Sequence, residues 1–596
     1  MAALFTTPKR NDKTSGAHFV EPDVRRRTLL AHGSWRRVTR RIVVGAVCAL
    51  TVSSLLMPSV SLAAEWVDVD GVRHEAAAGP TGDAAGTWSW NGADDMKLNG
   101  YNGGAITAAG KLNIAYEGTN TVETEPDYTG AAIKAKDGTN QKAELNITSS
   151  NSTDELNVTA EADAIKSTGD LSISGPGTVN TTSTTSDGIE AKGDLSITGS
   201  GTVNATGGTE GIQSKGKTTI DSSGTVLAKG GEGYGIAAGS DLIVKGGGKV
   251  EASSNEDVAI WADGNIDISG GSQVKASSQE ELAVDAEGSL TVTNASLNAS
   301  GVEYGAYGRK GVTLDHATVT VRASTGGGWQ TIALITDEDD IVIKNGSIVD
   351  ALAEGGFSAA IASRNYNPGE SGGHIYISDS VIKAIARYAE DGGDGPDHYS
   401  NDQSGVVIPE PRGLNIGIFA QTSEGITPAT ISIVRSKITA EGDTAAIFAL
   451  AMSADGEAIG TIEIKDAIIQ TPAGGKVIDY RNKEELSDGI VYEAGQTIGT
   501  GDATIDSPYD QAVSKSMVIA PPEETKPEEK PGETKPEGPK SEGTKTTKTV
   551  ATVATGVKTT GKLAATGDTS SAAIVATALA GTAAIAAGAV VSRNRS

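Results

Sequence analysis

Two kinds of side chain recur in this chain at intervals that could bring them together for chemistry. Trp261 and Tyr307 each follow an apolar residue, in Ala259-Ile260-Trp261 and Gly305-Ala306-Tyr307, and lie two periods of a repeat apart. Tyr234 and Tyr304 share a second register, three periods apart, and Trp329 follows nearby. Flat aromatic faces presented outward are surfaces on which pyranose rings lie; packing against neighbouring loops is the plainer role. At a coil spacing of ~4.8 Å, two periods would separate Trp261 and Tyr307 by ~10 Å, a span that suits an extended glycan. The second kind is acidic. Asp163, Asp187 and Glu210 head successive periods, with Asp257 and Glu281 offset by one. Carboxylates stacked ~5 Å apart repel by roughly 1 kcal/mol even in a water-like dielectric. Calcium, which takes carboxylate and carbonyl oxygens, would relieve that repulsion. Exposure with pairing to Lys166 and Lys192 would also relieve it.

A second calcium candidate is the oxygen-rich loop Glu390 to Asp397, through Asp391, Asp394 and Asp397, although its spacing is not that of an EF-hand. Asp337 to Asp340 offers the same choice between a cation site and a solvated acidic loop. Catalytic groups are sparser. His316, His374 and His398 have no metal-ligand spacing among them. Gly326-Gly327-Gly328 lacks the Lys-Ser/Thr of a phosphate loop. Arg309-Lys310 and Arg364 are the cations that depart from the repeat, and exposed cations are ordinarily solvated. No convergent acid, base or nucleophile emerges from the regular coils, and the expectation is a protein that is not an enzyme.

The elements that must position these side chains follow from the repeat. Asp163-Ala164-Ile165, Asp187-Gly188-Ile189, Glu210-Gly211-Ile212, Tyr234-Gly235-Ile236, Val258-Ala259-Ile260 and Leu282-Ala283-Val284 return every 23 or 24 residues. Between them come Gly-Asp-Leu-Ser-Ile runs, as at Gly169 to Ile173 and Gly193 to Ile197, and then Gly-Thr-Val at Gly177, Gly201 and Gly224. Leu171/Ile173 and Leu195/Ile197 are spaced by two, so each pair shares one strand face. A strand this short cannot bury its apolar residues alone, whereas stacked coils form one continuous column. Three short strands per coil with glycine corners predict an all-β right-handed parallel β-helix over 105–520, preceded by a cap over 64–104. Only 4% of the 596 residues are aromatic and 76 are glycine, which suits a thin aliphatic core. Strand beats at Ile341, Ile375, Ile431 and Ile462 are more widely spaced, which implies inserted loops, the largest at Tyr388 to Gly413; Val491 to Val518 is expected to close the far end.

The two ends carry addressing signals. Residues 1–63 combine a basic region (Arg25 to Arg27, Arg36, Arg37, Arg40, Arg41), an apolar run from Ile42 to Leu56 and small residues before a cleavage site at Ala63 and Ala64. This is an export signal, of either the general or the twin-arginine type. Cys48, the single cysteine, would be removed with it, leaving no disulfide or thiol chemistry. Pro521 to Lys562 is rich in Pro, Glu, Lys and Thr and reads as a disordered stalk; extended, it would reach ~130 Å. Leu563-Ala564-Ala565-Thr566-Gly567, an apolar helical span at 572–591 and a basic tail then resemble a sortase sorting signal of the Leu-Ala-x-Thr-Gly type found in high-GC Gram-positive bacteria. That resemblance implies cleavage after Thr566, attachment to peptidoglycan and only transient membrane insertion; a permanent membrane anchor is the alternative. Loss of an export segment of net +7 and a tail of net +1 would take the chain from −27 to −35, which excludes nucleic acid as a partner.

The coil Gly188 to Val203 reads Gly-Ile-x-Ala-Lys-Gly-Asp-Leu-Ser-Ile-x-Gly-x-Gly-Thr-Val. It resembles a family of bacterial cell-surface β-helices described as a carbohydrate-binding domain, closely over about 80–320 and loosely over about 320–500. The resemblance implies binding of polysaccharides such as cellulose and pectin, bound calcium and no catalysis. On these grounds the chain is expected to be a wall-anchored surface protein whose partner is polysaccharide or host glycan. A protein-directed adhesin or structural surface protein and, more distantly, a calcium-dependent polysaccharide lyase or glycoside hydrolase are the alternatives.

Overall fold

A computed structural model describes residues 63–522, except 140–141, 325–329, 357, 366–371, 390–414, 423–428, 443–444, 452–458, 472–475, 478–489, 492–496 and 502–515. The described chain is almost entirely β, in short strands that pair in parallel with the strand one coil earlier and one coil later. Each regular coil contributes one strand to each of three sheets, as in Ile189–Ala191 (sheet 1), Leu195–Gly199 (sheet 2) and Thr202–Thr206 (sheet 3). Sheets 1 and 3 each run to 15 strands. This is a parallel β-helix-like stack.

Registration is residue on residue. Ile165, Ile189, Ile212, Ile236 and Ile260 form one buried file in sheet 1. Val179, Val203, Val226, Val250 and Val274 form another in sheet 3. Burying each such side chain contributes roughly 1.5–3 kcal/mol, so the files together form the principal core. In sheet 2 Thr218 interrupts a file of leucines, and the hydroxyl this buries is satisfied by Ser214 Oγ at 2.7 Å.

Glycine at the corners is a steric necessity. A Cβ on Gly224 would lie 1.9 Å from the carbonyl oxygen of Gly201, and one on Gly201 2.2 Å from that of Gly177. The turn from sheet 2 to sheet 3 instead requires positive φ. Gly175, Gly199, Gly246 and Gly270 supply it in earlier coils, and Asn294, His316, Asn345, Asp379, Arg435 and Asp466 hold the same place in later coils at φ between 46° and 56°. There the Arg435 guanidinium bridges to Asp379 through two hydrogen bonds of 2.8 and 3.0 Å.

The ends differ from the middle. Trp66–Val69 pairs antiparallel with both Val72–Glu75 and Ile106–Ala109, and Thr81–Gly82, Trp88–Trp90 and Asp95–Asn99 form an antiparallel meander. At the far end Ser516–Ala520 pairs antiparallel with Lys437–Gly442 and Ile468–Thr471, and Thr497–Gly501 with Ile459–Lys465. Ala63 bridges to Lys111 and Ala64 is buried. Among the described residues no helix is long and apolar enough to cross a membrane. The apolar span 572–591, the residues Leu563 to Gly567, the stalk beyond 522 and the export segment before Ala63 lie outside the described residues, as do Trp329, Asp391, Asp394, Asp397 and His398.

Candidate functional site

Eleven successive strands of sheet 1, beginning with Ile165–Ser167, carry two outward side chains three residues apart, one within the strand and one near its start. The first file reads Asp163, Asp187, Glu210, Tyr234, Val258, Leu282, Tyr304, Ile332, Ala359, Ile416, Ala445. The second reads Lys166, Glu190, Gln213, Ala237, Trp261, Asp285, Tyr307, Ile335, Ala362, Phe419, Phe448. One face of the molecule thus passes from charged, through aromatic, to apolar.

The charged stretch corrects the expectation of exposed acids. Asp163, Asp187 and Glu210 are 7%, 6% and 8% exposed. They are buried because each coil's corner folds over the acid of the coil before. Ser186 Oγ donates to Asp163 Oδ1 at 2.5 Å and Thr209 Oγ1 to Asp187 Oδ1 at 2.5 Å, while the backbone N–H groups of Asp187 and Glu210 reach the same two oxygens at 3.4 and 3.2 Å. The expected pairing with lysine is also different in detail. The Lys166 ammonium lies 2.6 Å from Asp163 Oδ2 and also contacts Glu190, whereas Lys192 reaches only Glu190, at 3.8 Å.

Burial alone would raise the Asp163 carboxyl, but its hydrogen bonds to Lys166 and Ser186 hold it below its ordinary value. Asp187 has no such cation. Burial, and then Glu210 beside it, push its carboxyl up to about 7. Carboxylate oxygens of Asp163, Asp187 and Glu190 lie within 4.8 Å of one another, a spacing a cation would use, and the Lys166 ammonium already bonds two of the three.

In the aromatic stretch, Trp261 and Tyr307 occupy one file with Asp285 between them, and Tyr234 and Tyr304 occupy the other with Val258 and Leu282 between them. The Tyr234 and Trp261 rings stack at 5.4 Å with 18° between planes, and Tyr304 and Tyr307 meet at 5.8 Å and 55°. All four rings are half-buried, so part of each faces solvent. The structure therefore joins the four residues in two pairs across the files.

Beside the second pair is a polar network that the sequence pattern does not show. Arg364 is 4% exposed, not solvated as expected for a lone cation. It donates from Nε to Asp337 Oδ1 at 2.8 Å and from Nη1 to Gln330 Oε1 at 2.9 Å. Tyr304 and Tyr307 donate to those same two residues, to Gln330 Oε1 at 3.2 Å and Asp337 Oδ2 at 3.3 Å. Arg309 is likewise held, by Glu338 at 2.6 Å and Glu287 at 2.9 Å. Burial, with Asp337 and Asp285 nearby, raises the Tyr307 hydroxyl well above its ordinary range, so it remains a neutral donor. His374 Nδ1 accepts the Thr430 N–H at 3.1 Å, and His316 Nδ1 lies 2.8 Å from the Asn345 carbonyl oxygen.

The apolar stretch is a second core. Ile332, Ile335, Ala359, Ala362, Ile416, Phe419, Ala445 and Phe448 cluster on the outer side of sheet 1, with Tyr304 and Tyr307 packed at its border. Elsewhere, the outer side of sheet 3 holds an open depression of about 380 Å³ beside Asn204, Leu227, Glu251 and Lys275.

Residues 100–241 match a family model described as carbohydrate-binding domain-containing protein. The match supports a carbohydrate-binding role, and it covers the charged stretch and Tyr234 but ends before Trp261, Tyr304 and Tyr307. No curated protein and no solved structure matches the chain.

Proposed function

We propose that this protein binds extracellular polysaccharide or host glycan, without turning it over, along the aromatic stretch of sheet 1. The observation that carries the reading is the set of two aromatic pairs, Tyr234 with Trp261 and Tyr304 with Tyr307, each partly exposed on one face of a rigid stack. Ring faces held at fixed intervals of ~4.8 Å per coil suit successive sugars of an extended chain. The family match over the neighbouring coils supports the same ligand class. Arg309 and Arg364, the cations that a degradative reading needs as a base, are each held by carboxylates, which supports binding over turnover. In this reading the export signal, the stalk and Leu563 to Gly567 place the stack on the wall of a Gram-positive bacterium, through sortase and peptidoglycan.

The test is retention of the full chain on a glycan array and on insoluble polysaccharides, with calcium and again with EDTA. Trp261→Ala combined with Tyr307→Ala should weaken retention by at least tenfold, since stacking on one aromatic side chain contributes ~1 kcal/mol or more. Undiminished retention by that variant would place the glycan on another face, and no retention of the natural chain would favour a protein partner. Loss in EDTA would show that a divalent cation takes part, with the Asp163, Asp187 and Glu190 cluster and the Asp391 to Asp397 loop as its candidates.

A further inference from the structure

We infer that Arg364 is the positioning residue of this glycan platform, holding the rings of Tyr304 and Tyr307 through Gln330 and Asp337. The inference rests on the proposed glycan-binding reading, and it concerns a residue 57 positions beyond Tyr307 that lies against Tyr304 and reaches Tyr307 through Asp337. Asp337 follows the strand Thr331–Thr336, and Arg364 lies in the next strand, Ser358–Asn365, at the equivalent place one coil on. The guanidinium is therefore presented to Asp337 by the stack itself. Its planar fork then divides: Nε and Nη2 both reach Asp337 Oδ1 at 2.8 Å, while Nη1 reaches Gln330 Oε1 at 2.9 Å.

Each of those acceptors has a further role. Gln330 Oε1 also accepts the Tyr304 hydroxyl, and Asp337 Oδ2 the Tyr307 hydroxyl. A buried guanidinium is costly unless a charge of opposite sign is beside it. Asp337 supplies that charge to Arg364, and the pairing fixes its carboxylate where it accepts from Tyr307. A lysine could neutralise Asp337 but could not span both acceptors with a rigid fork. With both hydroxyls tied, the two rings cannot swing away from the face on which a sugar would lie, so less order is lost when ligand binds.

The experiment uses the full chain labelled with 3-fluorotyrosine, with the resonances assigned from Tyr304→Phe and Tyr307→Phe. Arg364→Met should broaden or shift the fluorine signals of Tyr304 and Tyr307 while leaving that of Tyr234 in place. It should also weaken retention on the polysaccharide that the natural chain binds by roughly tenfold, the value of one charge-assisted hydrogen bond. Arg364→Lys should recover little of either. The Tyr304→Phe/Tyr307→Phe variant keeps the rings and the core and removes only their ties. In that background Arg364→Met should weaken retention no further. Full additivity of the losses, or unchanged fluorine signals in Arg364→Met, overturns the inference. The fluorine readout needs no ligand, so it decides the role of Arg364 even where every polysaccharide fails and the glycan-binding reading falls by itself.

Discussion

Along sheet 1 the same two outward positions are filled by Asp163, Lys166, Asp187 and Glu190 in one region and by Ile332, Ile335, Ile416 and Phe419 in another. In each region the acids or the apolar side chains are buried. Comparable burial is reached by opposite chemistry. In the charged region it depends on every group finding a partner, because an ion pair out of water roughly breaks even and removing one member is expensive. In the apolar region burial is favourable residue by residue, and no partner has to be found. The first region is therefore the sensitive one: its stability responds to protons and ions, whereas the second should be indifferent to both. The aromatic platform lies between them, with Tyr304 and Tyr307 packed against the apolar cluster on one side and tied to Arg364 on the other.

This contrast can be broken most severely by exchanging the chemistries. Ile335→Lys would strand a charge in the outer apolar core and should cost about 5 kcal/mol or more, which would appear in thermal unfolding as loss of the native transition at physiological temperature. Lys166→Met should cost about 3–5 kcal/mol by leaving Asp163 and Glu190 facing each other, and millimolar calcium should restore part of the lost melting temperature. Lys192→Ala, which alters a half-exposed lysine beside the same Glu190, should cost less than about 1 kcal/mol and serves as its control.

A smaller effect follows from titration. The Asp187 carboxyl is raised in the folded chain to about 7, so the folded state holds a proton that the unfolded chain releases nearer pH 4. Stability should therefore fall as pH rises from about 4 to about 7, by a few kcal/mol at most, and then level off. Asp163, whose carboxyl is lowered, contributes in the opposite sense and loses its contribution only in stronger acid. Melting curves between pH 4 and 8 should show the slope in the natural chain and a flatter profile in Asp187→Asn.

The stack was legible in the sequence because its cause is periodic. Ile189, Ile212 and Ile236 point inward for the same geometric reason, and residue spacing reports that reason directly. The shared registers of Trp261 with Tyr307 and of Tyr234 with Tyr304 were legible on the same ground. The burial of Asp163 and Asp187 was not, because it depends on corners such as Ser186 and Thr209 folding over from the next coil, and an Asp at the head of a repeat looks the same covered or bare. Arg364 was misread as a solvated cation for a related reason. Its partners, Gln330 and Asp337, belong to the preceding coil across a stretch where the period has lengthened, so no fixed spacing links them. One signal was available: Asp337 and Arg364 each sit just beyond an apolar strand run, Thr331 to Thr336 and Ser358 to Ser363, and aligning those runs would have placed the opposite charges side by side.

The residue-on-residue register makes length an independent variable of this protein. A coil inserted in frame between Gly211 and Gly235 would bring its own inward isoleucine, leucine and valine and join each file without disturbing a neighbour. It would move the charged region one rung, ~4.8 Å, away from the platform while leaving both intact. Coil number thus acts as a ruler along which recognition features can be spaced by duplication alone, at little risk to folding.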